Sequence, residues 1–258
     1  MKIGVVGLGL IGGSIFKKLL ELNYDVIGIS NSQNGKKQNI TNDISKLKNC
    51  DLVFVATPMN STINKLKEIE KVVGKNTVVT DCCSLKEFLT KEKFNFKFVP
   101  SHPMAGTEFQ GYENSYAEMF EGAKWVITPL DKTDTKQLEE IIKKLGASPI
   151  KTTAEEHDKA VALISHMPLL ISQGLMATIK DNILAQRLAS SGFRDMTRLA
   201  MSNLEMAKDM VEKNHENIEQ SLLTLYTAIG DLIKNYPKSI IEIKQNRSKM
   251  YNNGKNVL

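Results

Sequence analysis

Three short stretches carry residues whose types and spacing can do chemistry. The first, GLGLIGGS, places Gly7, Gly9 and Gly12 in a G-x-G-x-x-G pattern. In such a pattern the first glycine permits a tight turn, the second lets backbone approach a pyrophosphate, and the third lets a helix pack closely on a strand. A helix starting there points free N–H groups and partial positive charge at the phosphates; the Ser14 hydroxyl either reaches a phosphate or caps the helix. The second stretch, SHPMAGTEFQG, holds His102, one of four histidines. An imidazole titrates near neutral pH, so His102 is either an acid–base group or a polar loop residue, and the stretch alone leaves both open. The third, GFRDMTR, supplies Arg194 and Arg198, whose planar guanidinium groups suit bidentate binding of a carboxylate. His166, in ISHMP, either lines a site or is a helix histidine satisfied beside Pro168.

These groups need elements to hold them. Lys2 to Val6, YDVIGIS, DLVFVATP and NTVVTDCCS are near-continuous apolar runs, the mark of strands buried on both faces of a parallel sheet. FKFVPSHP and AKWVITPL are two further strand candidates, and helical spacing such as Ile63, Leu66, Ile69 and Val73 fills the intervals. Strand alternating with helix predicts a doubly wound α/β domain over residues 1–152. From Ala154 onward the spacing is helical almost throughout, which predicts a second, all-α domain over residues 153–258. Ile218, Leu222, Leu225, Ile229 and Ile233 mark one face of a long helix, read as a core or dimer-interface face. The lysine-rich tail from Lys238 to Leu258 reads as a solvated helix that frays at its end.

Composition narrows the function classes. Hydrophobic residues make up 41% and charged residues 24% of 258, an ordinary globular balance. A net charge of +5 without a dense basic block argues against a nucleic-acid partner and suits an anionic small molecule. Cys50, Cys82 and Cys83 form neither a disulfide framework nor a zinc site, so reduced cytoplasmic thiols are expected and no metal. The N-terminal apolar run has no cleavage site, and no uninterrupted apolar stretch approaches the ~18–20 residues that cross a bilayer, so no membrane partner is expected.

The second strand ends GISNSQNGKK, with Ser30, Asn31 and Ser32 where an NAD enzyme usually carries an acid for the ribose 2′-hydroxyl. Without that carboxylate a 2′-phosphate is not repelled, and Lys36 and Lys37 are near enough in sequence to approach it. NAD and NADP both remain open.

Taken in order, GLGLIGGS, VATP, DCCSLK, SHPMAGTE, ISHMP and GFRDMTRLA resemble the blocks of the prephenate dehydrogenase family, which includes arogenate and cyclohexadienyl dehydrogenases. The resemblance spans residues 1 to about 215 and implies a Rossmann-type nucleotide domain, an all-α dimerisation domain and a homodimer. The implied reaction is NAD(P)-dependent oxidative decarboxylation of prephenate to 4-hydroxyphenylpyruvate, in tyrosine biosynthesis. By resemblance, His102 is the acid–base group for the substrate's ring hydroxyl, and Ser84 helps hold hydroxyl and imidazole. Arg198 becomes the expected carboxylate ligand, and Arg194 a surface or structural ion pair. His166 and Thr107 are candidate substrate contacts, while Glu108 and Asp195 fall on positions of an ionic network at the site entrance. Gly7, Gly9, Leu10, Ile11, Gly12, Ser30, Asn31, Thr57 and Pro58 are the expected cofactor contacts. The chain departs from the family's pattern at Leu169, where many relatives have a second histidine, and at Asn203, Leu204 and Ala207. Arogenate dehydrogenase is the alternative, and a β-hydroxyacid-type dehydrogenase, with Lys159 or Lys180 as its helix lysine, is a more distant one.

Overall fold

The computed structural model describes residues 1–36, 38–107, 109–130 and 133–252. β1 (Lys2–Val6) leads into α1 (Leu10–Glu21), β2 (Asp25–Ile29), the short β3 (Ile40–Thr41), β4 (Leu52–Val55), α2 (Met59–Glu70), β5 (Val78–Asp81) and the short β6 (Lys97–Phe98). All six strands pair in parallel in the order β3-β2-β1-β4-β5-β6, that of a doubly wound dinucleotide-binding sheet. β4 and β5 are buried at every position, as their unbroken apolar runs require. One side of the sheet packs on α1 through Ile15, Phe16 and Leu19; the other covers Leu66 and Ile69 of α2.

FKFVPSHP is two strands rather than one. Pro100 lacks an N–H, and its carbonyl accepts from Thr128 N–H at 2.9 Å, so the chain leaves the first sheet after β6. It re-enters a second, three-stranded sheet as β7 (Ser101–Pro103), antiparallel to β8 (Lys124–Ile127), which pairs in parallel with β9 (Ser148–Lys151). α3 (Lys136–Lys144) lies between β8 and β9 in sequence. Trp125 of β8 is fully buried against Phe54 and Phe120, so the two sheets share one core.

The remainder is helical: α4 (Ala154–Val161), a π-helical turn (Ala162–His166), α5 (Met167–Thr178), α6 (Ile183–Leu188), α7 (Ser191–Thr197), α8 (Leu204–Lys213), α9 (His215–Lys234) and α10 (Tyr236–Asn252). α4, the π-turn and α5 form one helix over Ala154–Thr178, 25 residues long with a mean hydropathy of 1.5 in its most apolar window. By length and composition it passes for a membrane span, which the reading by uninterrupted apolar runs did not anticipate. His157, Asp158 and His166 on this helix are nevertheless buried and hydrogen-bonded to the rest of the fold. A third apolar cluster joins the helices to the nucleotide sheet: Met59, Cys83 and Leu85 pack with Val161, Leu169, Ala207 and Met210. Leu169 and Ala207, two of the departures from the family's pattern, thus fall in the same seam. The three cysteines are free; burial pushes Cys50 up to about 11 and Cys83 up to about 12, so both act as apolar filler.

Candidate active site

His102 sits in the middle of β7, where its position is fixed from behind. The Asp81 carboxylate, at the end of β5, accepts from Ser101 N–H (3.1 Å) and Cys83 N–H (2.8 Å) and pairs with the Lys86 ammonium. The Ser101 hydroxyl donates to the Asp81 carbonyl (2.9 Å) and accepts from Trp125 Nε1–H (2.9 Å). Asp81, Lys86 and Ser101 are all fully buried. The residue before His102 is therefore held from its backbone and from its side chain.

The other side of the imidazole meets α4. Thr153 and Glu156 form a capping box: the Thr153 hydroxyl accepts from Glu156 N–H (3.1 Å), and the Glu156 carboxylate accepts from Thr153 N–H (3.2 Å). That fixes the helix start, and the next two residues, His157 and Asp158, face inward. His157 Nε2 lies 3.0 Å from His102 Nδ1, and His157 Nδ1 lies 2.7 Å from Asp158 Oδ1. Asp158 also accepts from Lys86 N–H (2.9 Å) and Glu87 N–H (2.8 Å). A carboxylate only accepts, so His157 Nδ1 carries the proton and, in the neutral ring, Nε2 accepts. His102 Nδ1–H is then the donor, which leaves His102 Nε2 with its lone pair as a proton acceptor. Burial, with His157, Lys86 and His166 nearby, holds His102 well below the usual imidazole range, so it is neutral at pH 7.

This chain of bonds makes His157→Ala informative. Asp158 keeps its backbone donors, so the variant should fold, but His102 loses the acceptor that selects its tautomer. We expect kcat to drop at least about 10–100-fold, the size of effect seen when a metal-bound imidazole loses its orienting partner. Steady-state kinetics with unchanged kcat would remove His157 from the relay.

His166 is buried, and its Nδ1 lies 3.1 Å from the Asn214 amide, which also donates to the Asp158 carbonyl at 2.9 Å. The π-turn explains the alignment. Asp158 and His166 are eight positions apart, and at about 100° per residue an unbroken α-helix would set them about 80° apart. One residue absorbed in a wider turn brings them within about 20° of one face. Burial pushes His166 down from 6.5 to about 4, against a partial opposing pull from Asp158. Between pH 6.5 and 4 the unfolded chain therefore binds a proton that the native chain does not. Stability is complete above that window and falls as the pH drops through it, by up to about 3 kcal/mol from this group. Thermal melts should show a lower Tm at about pH 5 than at about pH 7.5, and a smaller drop in His166→Gln. Equal drops in both proteins would exclude His166 as the source.

The glycine loop has the shape for a dinucleotide. Gly7 adopts φ +87°, and a Cβ there would meet the Ala56 carbonyl at 2.6 Å. A Cβ on Gly12 would come within 2.0 Å of the Gly7 carbonyl, whereas one on Gly9 would project into open space. Gly9 is thus the point where a pyrophosphate can approach, in front of the first-turn N–H groups of α1, including Leu10 and Ile11. No acidic residue lies in that turn. Ser14 is neither a cap nor turned to the loop: it is buried, donates to the Leu10 carbonyl (2.8 Å) and accepts from Tyr116 N–H (3.1 Å). At the end of β2, the Ser30 and Ser32 hydroxyls lie 3.4 Å apart, Ser30 accepts from Gln33 N–H, and Asn31 is exposed. Thr57 and Pro58 follow β4, Thr57 sharing a 3.1 Å hydroxyl contact with Thr62 and Pro58 preceding α2.

Ser84 lies half-buried between Cys83 and Leu85, and its hydroxyl has no partner among the described residues. Thr107 is exposed and accepts from Phe109 N–H at 3.2 Å. Arg198, exposed at the end of α7, has no ion-pair partner among the described residues; its turn packs on α5, the helix that follows His166. Arg194 and Asp195 face each other at 3.9 Å on the surface. Glu108 and Lys37 lie outside the described residues. Sequence reasoning missed Asp81, Lys86, His157, Asp158 and Asn214. A usable signal existed for two of them: EEHDKAV puts His157 and Asp158 on the turn before buried Val161, polar groups on an apolar stripe.

Oxidising an alcohol takes a hydride acceptor and a proton acceptor, and a nicotinamide-dependent dehydrogenase is the class that the glycine cradle and the backed imidazole define. The nucleotide-binding domain of prephenate dehydrogenase matches residues 25–181, and the dimerization domain of the same enzyme matches residues 153–242. The chain belongs to the prephenate dehydrogenase family. It is 31% identical to prephenate dehydrogenase of Bacillus subtilis over 83% of this chain and 64% of that one, so it spans less than two thirds of that relative's length. Among solved structures, Synechocystis arogenate dehydrogenase superposes with a TM-score of 0.81 at 30% identity, covering 96% of this chain and 98% of the other. Prephenate dehydrogenase from Aquifex aeolicus, in complex with hydroxyphenyl propionate and NAD+, gives 0.85 at 26% identity, covering 97% and 98%.

Proposed function

We propose that this chain is a prephenate dehydrogenase that converts prephenate to 4-hydroxyphenylpyruvate with NAD or NADP. The observation that carries the reading is the His102–His157–Asp158 chain, which leaves His102 Nε2 as a neutral proton acceptor. A nicotinamide dinucleotide held by its pyrophosphate at the glycine cradle would supply the hydride acceptor. His102 Nε2 takes the proton of the C4 hydroxyl as hydride leaves C4 and the C–O bond becomes a carbonyl. Cleavage of the bond between C1 and its carboxylate then sends an electron pair through the ring onto the C4 oxygen, which takes back the proton from His102 as the ring becomes aromatic and carbon dioxide leaves. Ser84, with its hydroxyl free of other partners, orients the substrate hydroxyl and imidazole together. Arg198 binds a substrate carboxylate, Thr107 and His166 border the side-chain end, and Glu108 and Asp195 act at the entrance by charge. Arogenate is a second substrate reading, favoured by the likeness to the Synechocystis arogenate dehydrogenase. Lys159 and Lys180, which a β-hydroxyacid dehydrogenase would need in catalysis, are mostly exposed on the surface, Lys159 paired with Glu155 at 2.5 Å.

We divide the chain into a nucleotide domain over 1–152 and a helical domain over 153–258, and infer a cytoplasmic homodimer. The surface supports the dimer: 15407 Å² is accessible, where a compact monomer of 28.8 kDa exposes about 11,000 Å². Leu223, Tyr226, Ile229 and Ile233 of α9 are among the exposed apolar side chains. The three free cysteines suit a reducing compartment. The deciding assay follows reduced nicotinamide with prephenate or arogenate and NAD or NADP in four pairings. Turnover in one or more establishes the activity and both preferences; no turnover in any, with nucleotide still bound, overturns it.

A further inference from the structure

Lys86 is fully buried, although its side chain carries a charge that the proposed proton transfer does not use. Its ammonium pairs with Asp81 and donates to the Ser101 carbonyl at 2.6 Å, next to His102. Its backbone N–H donates to Asp158 at 2.9 Å and 3.2 Å, the carboxylate that holds His157. A single residue is thus bonded to both sides of the His102–His157 contact, one side on β7 and the other on α4.

We propose that Lys86 is a positioning residue for the dehydrogenation, holding the strand that carries His102 in register with the carboxylate that holds His157. The groups facing His102 are His157 and Asp158 from α4, His166 from the π-turn, and Lys86 with Asp81 behind β7; β8 contributes apolar Val126 opposite it. Asp158 is committed to His157 and two backbone donors, and Asp81 to Lys86 and two backbone donors. This role rests on reading His102 as the proton acceptor.

The test compares wild type with Lys86→Met and with the double variant Asp81→Asn/Lys86→Met, which removes both buried charges and so leaves none uncompensated. In both variants we expect kcat to fall about 10–100-fold, with KM and nucleotide affinity within about threefold. The acid limb of kcat/KM should move up by about one pH unit in Lys86→Met, where the Asp81 carboxylate is left unpaired, and stay near that of wild type in the double variant, which loses both charges. Nitrogen-15 NMR of the histidine rings reads the same change without substrate, and four histidines make the spectrum assignable. Wild type should show His102 protonated on Nδ1 alone and resisting protonation below 6.5; the double variant should show mixed tautomers. A folded double variant with wild-type kcat and His102 still protonated on Nδ1 alone would reduce Lys86 to a packing role. The NMR arm decides the proposal even if wild type turns over none of the four substrate–cofactor pairs, a result that would count against the dehydrogenase reading instead.

Discussion

Replacing His102 by asparagine is expected to lower kcat by about 10²–10⁴-fold while NAD(P) affinity stays within about threefold of wild type. The size follows from what is removed. Asparagine can still hydrogen-bond to His157, so β7 and its attachments to Asp81 and Trp125 should persist. It cannot accept a proton at neutral pH, and His157, the other imidazole in this chain of bonds, lies one bond further back on α4. The glycine cradle lies on the first sheet and His102 on the second, so nucleotide binding and proton transfer are separable by mutation. In wild type, the acid limb of kcat/KM should lie below 6.5, because the ring is neutral until the medium is well acidic; the variant should lack that limb. Fluorescence titration of nucleotide, run beside the kinetics, decides the case: parallel loss of binding and turnover would remove His102 from the proton-transfer role.

Arg198→Ala should act on substrate binding instead. Losing a charge-assisted, bidentate contact to a carboxylate costs on the order of 2–4 kcal/mol in a desolvated site, or about 30–1,000-fold in KM. Arg198 is exposed in the single chain and has no cationic duty to an internal carboxylate among the described residues. Its guanidinium is therefore available, and its removal leaves no buried charge behind. KM for prephenate should rise with nucleotide affinity intact and kcat changed less than KM. Unchanged KM would take Arg198 out of the substrate site; a loss near tenfold would mean the guanidinium keeps much of its water when substrate binds.

What could be read from the sequence was what is local. The parallel strands announced themselves because burial on both faces writes an unbroken apolar run, and the glycine turn because its spacing is set by a backbone that needs φ +87° at Gly7. β3, two residues long, carries too little pattern to be seen. The split of FKFVPSHP depended on where Pro100 sends the chain, a tertiary matter. The histidine pair was out of reach for the same reason. His102 and His157 are joined across 55 positions by packing of a strand on a helix, and neither sequence neighbourhood points to the other. Nothing in the sequence sets Asp81 and Lys86 apart from other charged residues, and only the fold shows that both are sealed from water. The Arg198 assignment came through family resemblance, and the single chain leaves that side chain on the surface.

The π-turn also constrains how this family member can vary over time. Ala162–His166 holds one residue more than an α-helical turn, and both His166 and everything in α5 take their angular setting from it. Substitution within the turn alters side chains; deletion of one residue there would leave seven α-helical steps from Asp158 to His166, about 20° off one face, the setting that the wider turn already gives. Loss of two residues would rotate α5 by about 100°, swing His166 off Asn214 and take Leu169 out of the apolar seam beside Ser84. One lost codon is therefore the length change this helix can absorb, and descendants of this chain should occur with and without the extra residue but not with the segment shortened further.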